Sequence, residues 1–273
     1  MRNVFVTGGF DDLRSRQVRF LEGASRFGEL HALVWTDEAI NELEGKPAKF
    51  PLAERIYLLQ AIRYISHVTV WKSSVKRDAL ATPNGINPDV WVVDEAADND
   101  WKKSYCASFG IDYQVIKDTE LQGWQVKRFH APEEPSGRKK VIVTGCFDWF
   151  HSGHVRFFEE VSQLGDLYVA VGHDQNIRLL KGAGHPMFSQ EERLYMVQAV
   201  RYVKQALITS GHGWMDAEPE IELLKPDIYA VNEDGDVPEK RAFCAKHGME
   251  YVVLQRSPKE GLPQRESTVL RGF

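Results

Sequence analysis

The sequence is short of the features that mark several protein classes. No apolar run approaches the ~18 residues that a membrane-spanning helix needs, so no span is expected. There is no Lys/Arg-rich run and the formal net charge is −5, which argues against nucleic acid as the main partner. The three cysteines, Cys106, Cys146 and Cys244, are odd in number and widely spaced. Reduced thiols in a cytoplasmic protein are their simplest reading. No signal-peptide pattern is visible, because Met1-Arg-Asn-Val-Phe-Val-Thr-Gly8 enters a strand-like run at once. No G-x-G-x-x-G follows any strand-like run, which disfavours a dehydrogenase. What is present is an ordinary globular composition, 43% hydrophobic and 27% charged over 273 residues. That is enough to bury a core, in one large domain or two small ones.

The chain is a duplication. Val4-Phe-Val-Thr-Gly-Gly-Phe-Asp11 returns as Val141-Ile-Val-Thr-Gly-Cys-Phe-Asp148, and Val4–Val34 against Val141–Val171 gives 15 identities in 31 positions. After one inserted residue, Glu54–Tyr64 matches Glu192–Tyr202, and Pro88–Glu95 matches Pro226–Glu233. Each copy is about 130 residues, a normal domain size. The boundaries are residues 1–131 and 139–273, with Pro132-Glu-Glu-Pro-Ser-Gly-Arg138 as a linker rich in turn formers. In the second copy the apolar runs Val141–Thr144, Leu167–Val171, Gln205–Thr209, Asp227–Val231 and Tyr251–Leu254 read as strands. Helical patterns at His154–Leu164, Gln190–Val203, Glu218–Leu224 and Glu239–His247 fill the gaps. Alternation of this kind predicts an α/β fold, a Rossmann-like, doubly wound parallel sheet in each copy. Ligands bind such sheets beyond the carboxyl ends of the strands.

The most informative stretch is residues 141–158. A buried strand ends at Gly145, and Val155, Phe158 and Val161 recur at helical spacing beyond it. Between them lie His151 and His154, separated by Ser152 and Gly153. A tight turn opening a helix binds anions, through free backbone N–H groups and the positive end of the dipole. Two imidazoles three residues apart face the same way on the first turn, where they can donate to charge developing on a phosphate. Metal ligation and plain surface placement are the alternatives, though two histidines without a third ligand make a weak metal site.

Thr144-Gly-Cys-Phe-Asp-Trp-Phe-His-Ser-Gly-His154 resembles the signature of the HxGH nucleotidyltransferase superfamily, and its cytidylyltransferase-like branch most of all. The resemblance implies nucleotide contacts from Thr144, Gly145, Cys146, Phe147, Asp148 and Gly153, and catalytic roles for His151 and His154. It places Lys181 against the nucleotide phosphates, although a lone loop lysine is also explained by solvation. Val231-Asn-Glu-Asp-Gly235 lies where the family holds base and ribose, so Asn232 or Asp234 is implied there; plain turn chemistry explains the same residues. Arg265-Glu-Ser-Thr-Val-Leu-Arg271 lies where the family has a Ser-Thr pair facing the triphosphate. This implies Arg265, Ser267 and Thr268 as phosphate ligands, beside the simpler reading of Ser267 and Thr268 as a helix cap. The longer segment Arg256–Thr268 departs from the family pattern and leaves the nucleotide open.

The first copy has Arg14, Ser15, Arg16 and Gln17 where the second has the His151–His154 turn, and Glu44 in place of Lys181. It keeps Thr7, Gly8, Phe10 and Asp11. It is read as a degenerate, inactive repeat, with an anion site at Arg14 and Arg16 as the alternative. Both copies keep two arginines, Arg55 and Arg63, then Arg193 and Arg201. The persistence of Arg63 and Tyr64 in the inactive copy points to structure or to contact between repeats. The family's homodimeric habit implies an internal pseudo-dimer, with an interface role for Arg201 and Tyr202; a further homo-oligomer stays open. The function so implied is transfer of CMP from CTP to a phosphorylated alcohol or sugar with release of pyrophosphate. ATP is the alternative nucleotide, and a non-catalytic nucleotide sensor or scaffold the alternative of another class. Mg²⁺ is expected with the triphosphate, with no protein metal site.

Overall fold

The computed structural model describes residues 1–71, 80, 85–124 and 136–270. Within the expected linker, residues 132–135 lie outside this set, as do residues 125–131 at the end of the first copy and Arg271 at the end of the Ser-Thr block. The chain divides into two compact units, Met1–Gly123 and Trp124–Phe273.

In the first unit the strands are β1 (Asn3–Gly8), β2 (Glu29–Trp35), β3 (His67–Trp71), β4 (Val90–Asp94) and β5 (Asp112–Ile116). They form a parallel sheet of order β3-β2-β1-β4-β5. Helices α1 (Ser15–Ser25), α2 (Asp37–Glu44), α3 (Leu52–Ala61) and α4 (Asp100–Phe109) connect them. In the second unit β6 (Lys140–Gly145), β7 (Asp166–Val171), β8 (Val203–Ile208), β9 (Ile228–Asn232) and β10 (Glu250–Leu254) repeat the plan, in the order β10-β9-β6-β7-β8. Its helices are α5 (Ser152–Val161), α6 (Asp174–Lys181), α7 (Gln190–Gln198), α8 (Glu218–Leu224), α9 (Pro238–Lys246) and α10 (Ser267–Leu270). Both sheets are α/β and Rossmann-like, as the alternating pattern implies.

The apolar run of β6 follows from its place. It sits between β7 and β9, covered on both faces, and Val141, Ile142 and Val143 are fully buried. Connections leave β6 toward β7 on one side, while β9 and β10 lie on the other. The crevice between the carboxyl ends of β6 and β9 is therefore the switch point. Gly145 ends one of these strands and Asn232 the other.

Two helix expectations are corrected. The Gln190–Val203 pattern ends at Gln198, because the chain tightens into turns in which Val200 N–H donates to the Val197 carbonyl and Val203 N–H to that of Val200. Arg201 is consequently an exposed turn residue, and Tyr202 is half-buried. Lys181 is not in a loop: it closes α6, capped at its start by the His173 side chain. That helix is only eight residues long, too short for a repeating apolar face; Leu179 and Leu180 face solvent, while Asn176 and Ile177 are its buried residues. The cysteines are free thiols, with Cys106 and Cys244 buried at corresponding places.

Candidate active site

The site is built from the turn between β6 and α5. Phe147 takes a left-handed backbone conformation, φ +52°, which folds its ring back over Gly145. A Cβ on Gly145 would lie 2.7 Å from that ring, so only glycine fits beneath it. The buried Asp148 carboxylate accepts from the backbone N–H groups of Met187 (2.7 Å) and Phe188 (3.0 Å), and lies 3.6 Å from His185. Asp148 thus ties the segment before α7 to the turn. Asp11 does the same in the first unit, accepting from Lys49 and Phe50 N–H at 2.7 and 2.8 Å. This explains why that aspartate survives in a copy whose turn has no histidines.

His151 caps α5, its Nδ1 accepting from Gly153 N–H at 3.1 Å. An accepting Nδ1 places the ring proton on Nε2, which makes Nε2 a donor. The His154 ring stacks on it, centroids 4.0 Å apart and planes 23° apart, so the pair does face one way. Phe147 meets the His154 ring edge-on at 5.4 Å and Phe150 stacks on it at 5.5 Å. His154 Nδ1 is buried and has no hydrogen-bond partner among the described residues. Burial holds the His154 pKa well below the ordinary imidazole value, reinforced by His151, Arg256 and Lys181. That ring is neutral at physiological pH, and the two cations named lie within electrostatic reach of it.

Gly153 is also tightly enclosed. A Cβ there would stand 2.9 Å from His151 Cε1, 3.0 Å from its Nδ1 and 3.6 Å from the Arg265 carbonyl. Gly153→Ala therefore has to push the His151 ring off its cap. The expected outcome is a fall in kcat of at least about tenfold from one misplaced donor, with a melting temperature a few degrees lower at most. Steady-state kinetics beside a thermal melt checks it.

Lys181 and Arg256 bring positive charge from opposite sides of the sequence. Arg256, in the segment after β10, pairs with Asp234 at 2.7 Å and reaches the Arg265 carbonyl at 3.4 Å. Its position was not legible from the motif, and no pattern in the sequence marks it beyond its place in the unusual 256–268 segment. A narrow cleft opens at the N-terminus of α5, lined by Ser152, Gly153, Arg156, Asn232, Arg256 and Arg265 among others. Asn232 Oδ1 is buried there with no hydrogen-bond partner among the described residues. Ser267 Oγ donates to the Trp149 carbonyl at 3.1 Å, tying the C-terminal block to the histidine turn, while Thr268 is exposed. Thr144 Oγ1 lies 2.8 Å from the Tyr229 hydroxyl, linking β6 to β9. The Cys146 thiol is pushed up by burial, and its carbonyl accepts from Arg193 at 2.6 Å.

Arg193 has a larger part than the sequence suggests. It is 1% exposed, and its guanidinium also donates to the carbonyls of Phe188 (3.1 Å) and Gly172 (2.7 Å) and to Asp174 (2.8 Å). One buried fork thus joins the end of β6, the end of β7, α6 and the entry to α7. Arg55 makes the matching set to Phe50, Gly9, Trp35 and Asp37. In the first unit Arg14, which caps α1, pairs with Asp12, and Arg16 pairs with Asp118 at 2.6 Å. Both arginines are charge-neutralised, against the anion-site alternative. Glu44 ends α2 as Lys181 ends α6.

The family model for cytidylyltransferase-like domains matches residues 142–264. An FAD synthase of Ferroglobus placidus is 36% identical over 125 residues, spanning 45% of this chain and 78% of that protein. The bifunctional protein HldE of Desulfatibacillum aliphaticivorans is 36% identical over 93 residues, 34% of this chain but 18% of that protein. A solved lipopolysaccharide core biosynthesis protein of Thermoplasma volcanium aligns with 45% of this chain and all of its own length, at 28% identity and a TM-score of 0.38. With the signature turn in place at the switch point and this similarity across most of a whole relative, the chain belongs to the cytidylyltransferase-like nucleotidyltransferases.

Proposed function

We propose that residues 139–273 join a nucleoside monophosphate to a phosphorylated acceptor and release pyrophosphate, and that residues 1–131 are an inactive copy supporting them as an internal pseudo-dimer in a cytoplasmic enzyme. The observation that carries the reading is the stacked His151–His154 pair at the mouth of the helix, with Lys181 and Arg256 near. The acceptor phosphate oxygen attacks the α-phosphorus in line. The new P–O bond forms as the bond to the β-phosphate oxygen breaks, and pyrophosphate leaves with the electron pair. No protein nucleophile is needed, so catalysis is positioning and charge stabilisation. His151 Nε2–H and the neutral His154 ring donate to the charge that grows on the phosphate oxygens. Lys181, Arg265 and Arg256 hold the triphosphate, and Gly153 leaves it room against the backbone. Asn232, with an unmet acceptor, faces the ribose or base. Ser267 and Asp148 act through the frame: both are already committed to backbone groups of the turn and its neighbours. Mg²⁺ would supply positive charge to neutralise the phosphates. Asp148 and Asp234 are engaged by N–H groups and by Arg256, so the triphosphate itself, and not this carboxylate pair, would hold the ion.

CTP follows from the likeness to tandem phospho-alcohol cytidylyltransferases. ATP is favoured by the relatives named FAD synthase, and we take it as the better-supported nucleotide. Incubation of the full chain with ATP or CTP and a panel of phosphomonoesters, FMN, sugar phosphates and glycerol phosphate among them, separates the two by pyrophosphate release. Release with ATP and one acceptor is expected. Release with CTP alone restores the first nucleotide, and none with any pair favours the sensor.

A further inference from the structure

The amino-terminal end of the first sheet carries a group of side chains that nucleotide chemistry does not use. Glu29 and His31 are two apart on β2 and so project from the same face. His67 opens the edge strand β3 and is the register partner of His31. Phe5, His31 and His67 stack across three strands, Phe5–His31 at 4.8 Å and 6°, His31–His67 at 4.6 Å and 23°. His31 is 3% exposed, and its Nε2 is buried with no hydrogen-bond partner among the described residues. Buried polar atoms in folded proteins nearly always have a partner, so this one requires an explanation. His67 Nε2 lies 2.9 Å from Glu29 Oε1. One ligand atom from each of Glu29, His31 and His67 lies within 4.8 Å of the other two.

We propose that Glu29, His31 and His67 bind one divalent transition-metal ion of the Zn²⁺ class. Two imidazoles and one carboxylate form a ligand set that suits Zn²⁺ and leaves a fourth position for water. At Zn–ligand distances near 2.0–2.2 Å, tetrahedral ligand atoms stand about 3.3–3.6 Å apart, so the widest of these separations has to close by roughly 1 Å at most. His31 is the fixed anchor. The side chains of His67 and Glu29 are 52% and 36% exposed and free to swing inward. The ion would clasp the edge strand to its neighbour and give the buried His31 nitrogen a partner. The corresponding places in the second unit are Asp166, Tyr168 and Gln205, with Tyr168 again paired in register to Gln205. That copy has no imidazole there, and its Asp166 lies beside Arg138 and Lys204 instead. The ligand set is therefore peculiar to the half that has lost its catalytic histidines, and a bound ion would be structural.

The test is calorimetric titration of chelator-treated full-length protein with Zn²⁺, repeated with Co²⁺ while the visible absorption of the tetrahedral ion is followed. One equivalent is expected, with a higher melting temperature. His67→Gln and Glu29→Gln, both at accessible side chains, should weaken binding by more than the 10–100-fold that loss of a group outside the ligand shell produces. The double variant His151→Ala/His154→Ala should keep the equivalent, which separates this site from the other histidine pair. Zn²⁺ binding unchanged in His67→Gln, lost in the His151/His154 variant, or absent from the parent protein at micromolar metal overturns the proposal.

Discussion

Replacing His154 with alanine is expected to lower kcat by about 10²–10³-fold, the range seen when one preorganised donor to a developing oxyanion is removed. The ring lies stacked on His151 and against Phe147 and Phe150, so its position is held by packing before substrate arrives. No reorganisation is then needed during the reaction. His154→Phe keeps most of the packing and removes the donor, so it separates catalysis from stability. Both variants should bind nucleotide within a few-fold of the parent, since Lys181 and Arg256 remain. Equal kcat in parent and phenylalanine variant would remove the assigned role. The same ring has a linked pH signature. Its folded pKa is depressed below the ordinary 6.5, so as pH falls through 6.5 the unfolded chain takes up a proton that the folded chain does not. Stability is thus lost on the acid side of that value. Melting curves of the phenylalanine variant should lose this part of the acid sensitivity.

Arg193→Ala is expected to destabilise the second unit by about 3–5 kcal/mol, the range for removing one partner from a buried charged network. A domain's whole stability is about 5–15 kcal/mol, so the variant should be partly unfolded or melt far earlier. The cause is the set of acceptors left behind: the carbonyls of Cys146, Gly172 and Phe188, and the Asp174 carboxylate. Water can reach few of them, because the arginine is 1% exposed. Arg193→Lys keeps the charge but lacks the planar fork, so it should recover only part of the loss. Arg55→Ala should have the matching effect in the first unit. Urea unfolding of the full chain followed by circular dichroism reads both, and a loss under about 1 kcal/mol for Arg193→Ala would sink the clamp, being no more than a single ordinary hydrogen bond is worth.

These two residues also show what kind of information the sequence carries. His151 and His154 were legible because their function depends on neighbours in the chain: a glycine between them, a strand before, a helix after. Arg193 was visible only as a residue repeated at Arg55, with no role attached to it. Its partners were not visible, because they come from positions 146, 172, 174 and 188 and converge only in the fold. Asp148 carries the same lesson, since the N–H groups that donate to its carboxylate lie some forty residues away, at Met187 and Phe188. Helix α6 was missed because its eight residues span barely two turns, too few for an apolar face to repeat.

The sequence by itself determined the internal repeat, the parallel α/β plan and the absence of the paired histidines from the first copy's turn, because each is written in local periodicity or in one repeat set against the other. Tertiary structure alone decided which polar groups are committed and which are open. Asp148, Ser267 and Thr144 have partners from distant elements, whereas His154 Nδ1, Asn232 Oδ1 and His31 Nε2 are buried without one among the described residues. Hydrogen bonding depends on distances of about 3 Å between groups that chain order does not bring together, and only the packed sheet and its connections set those distances.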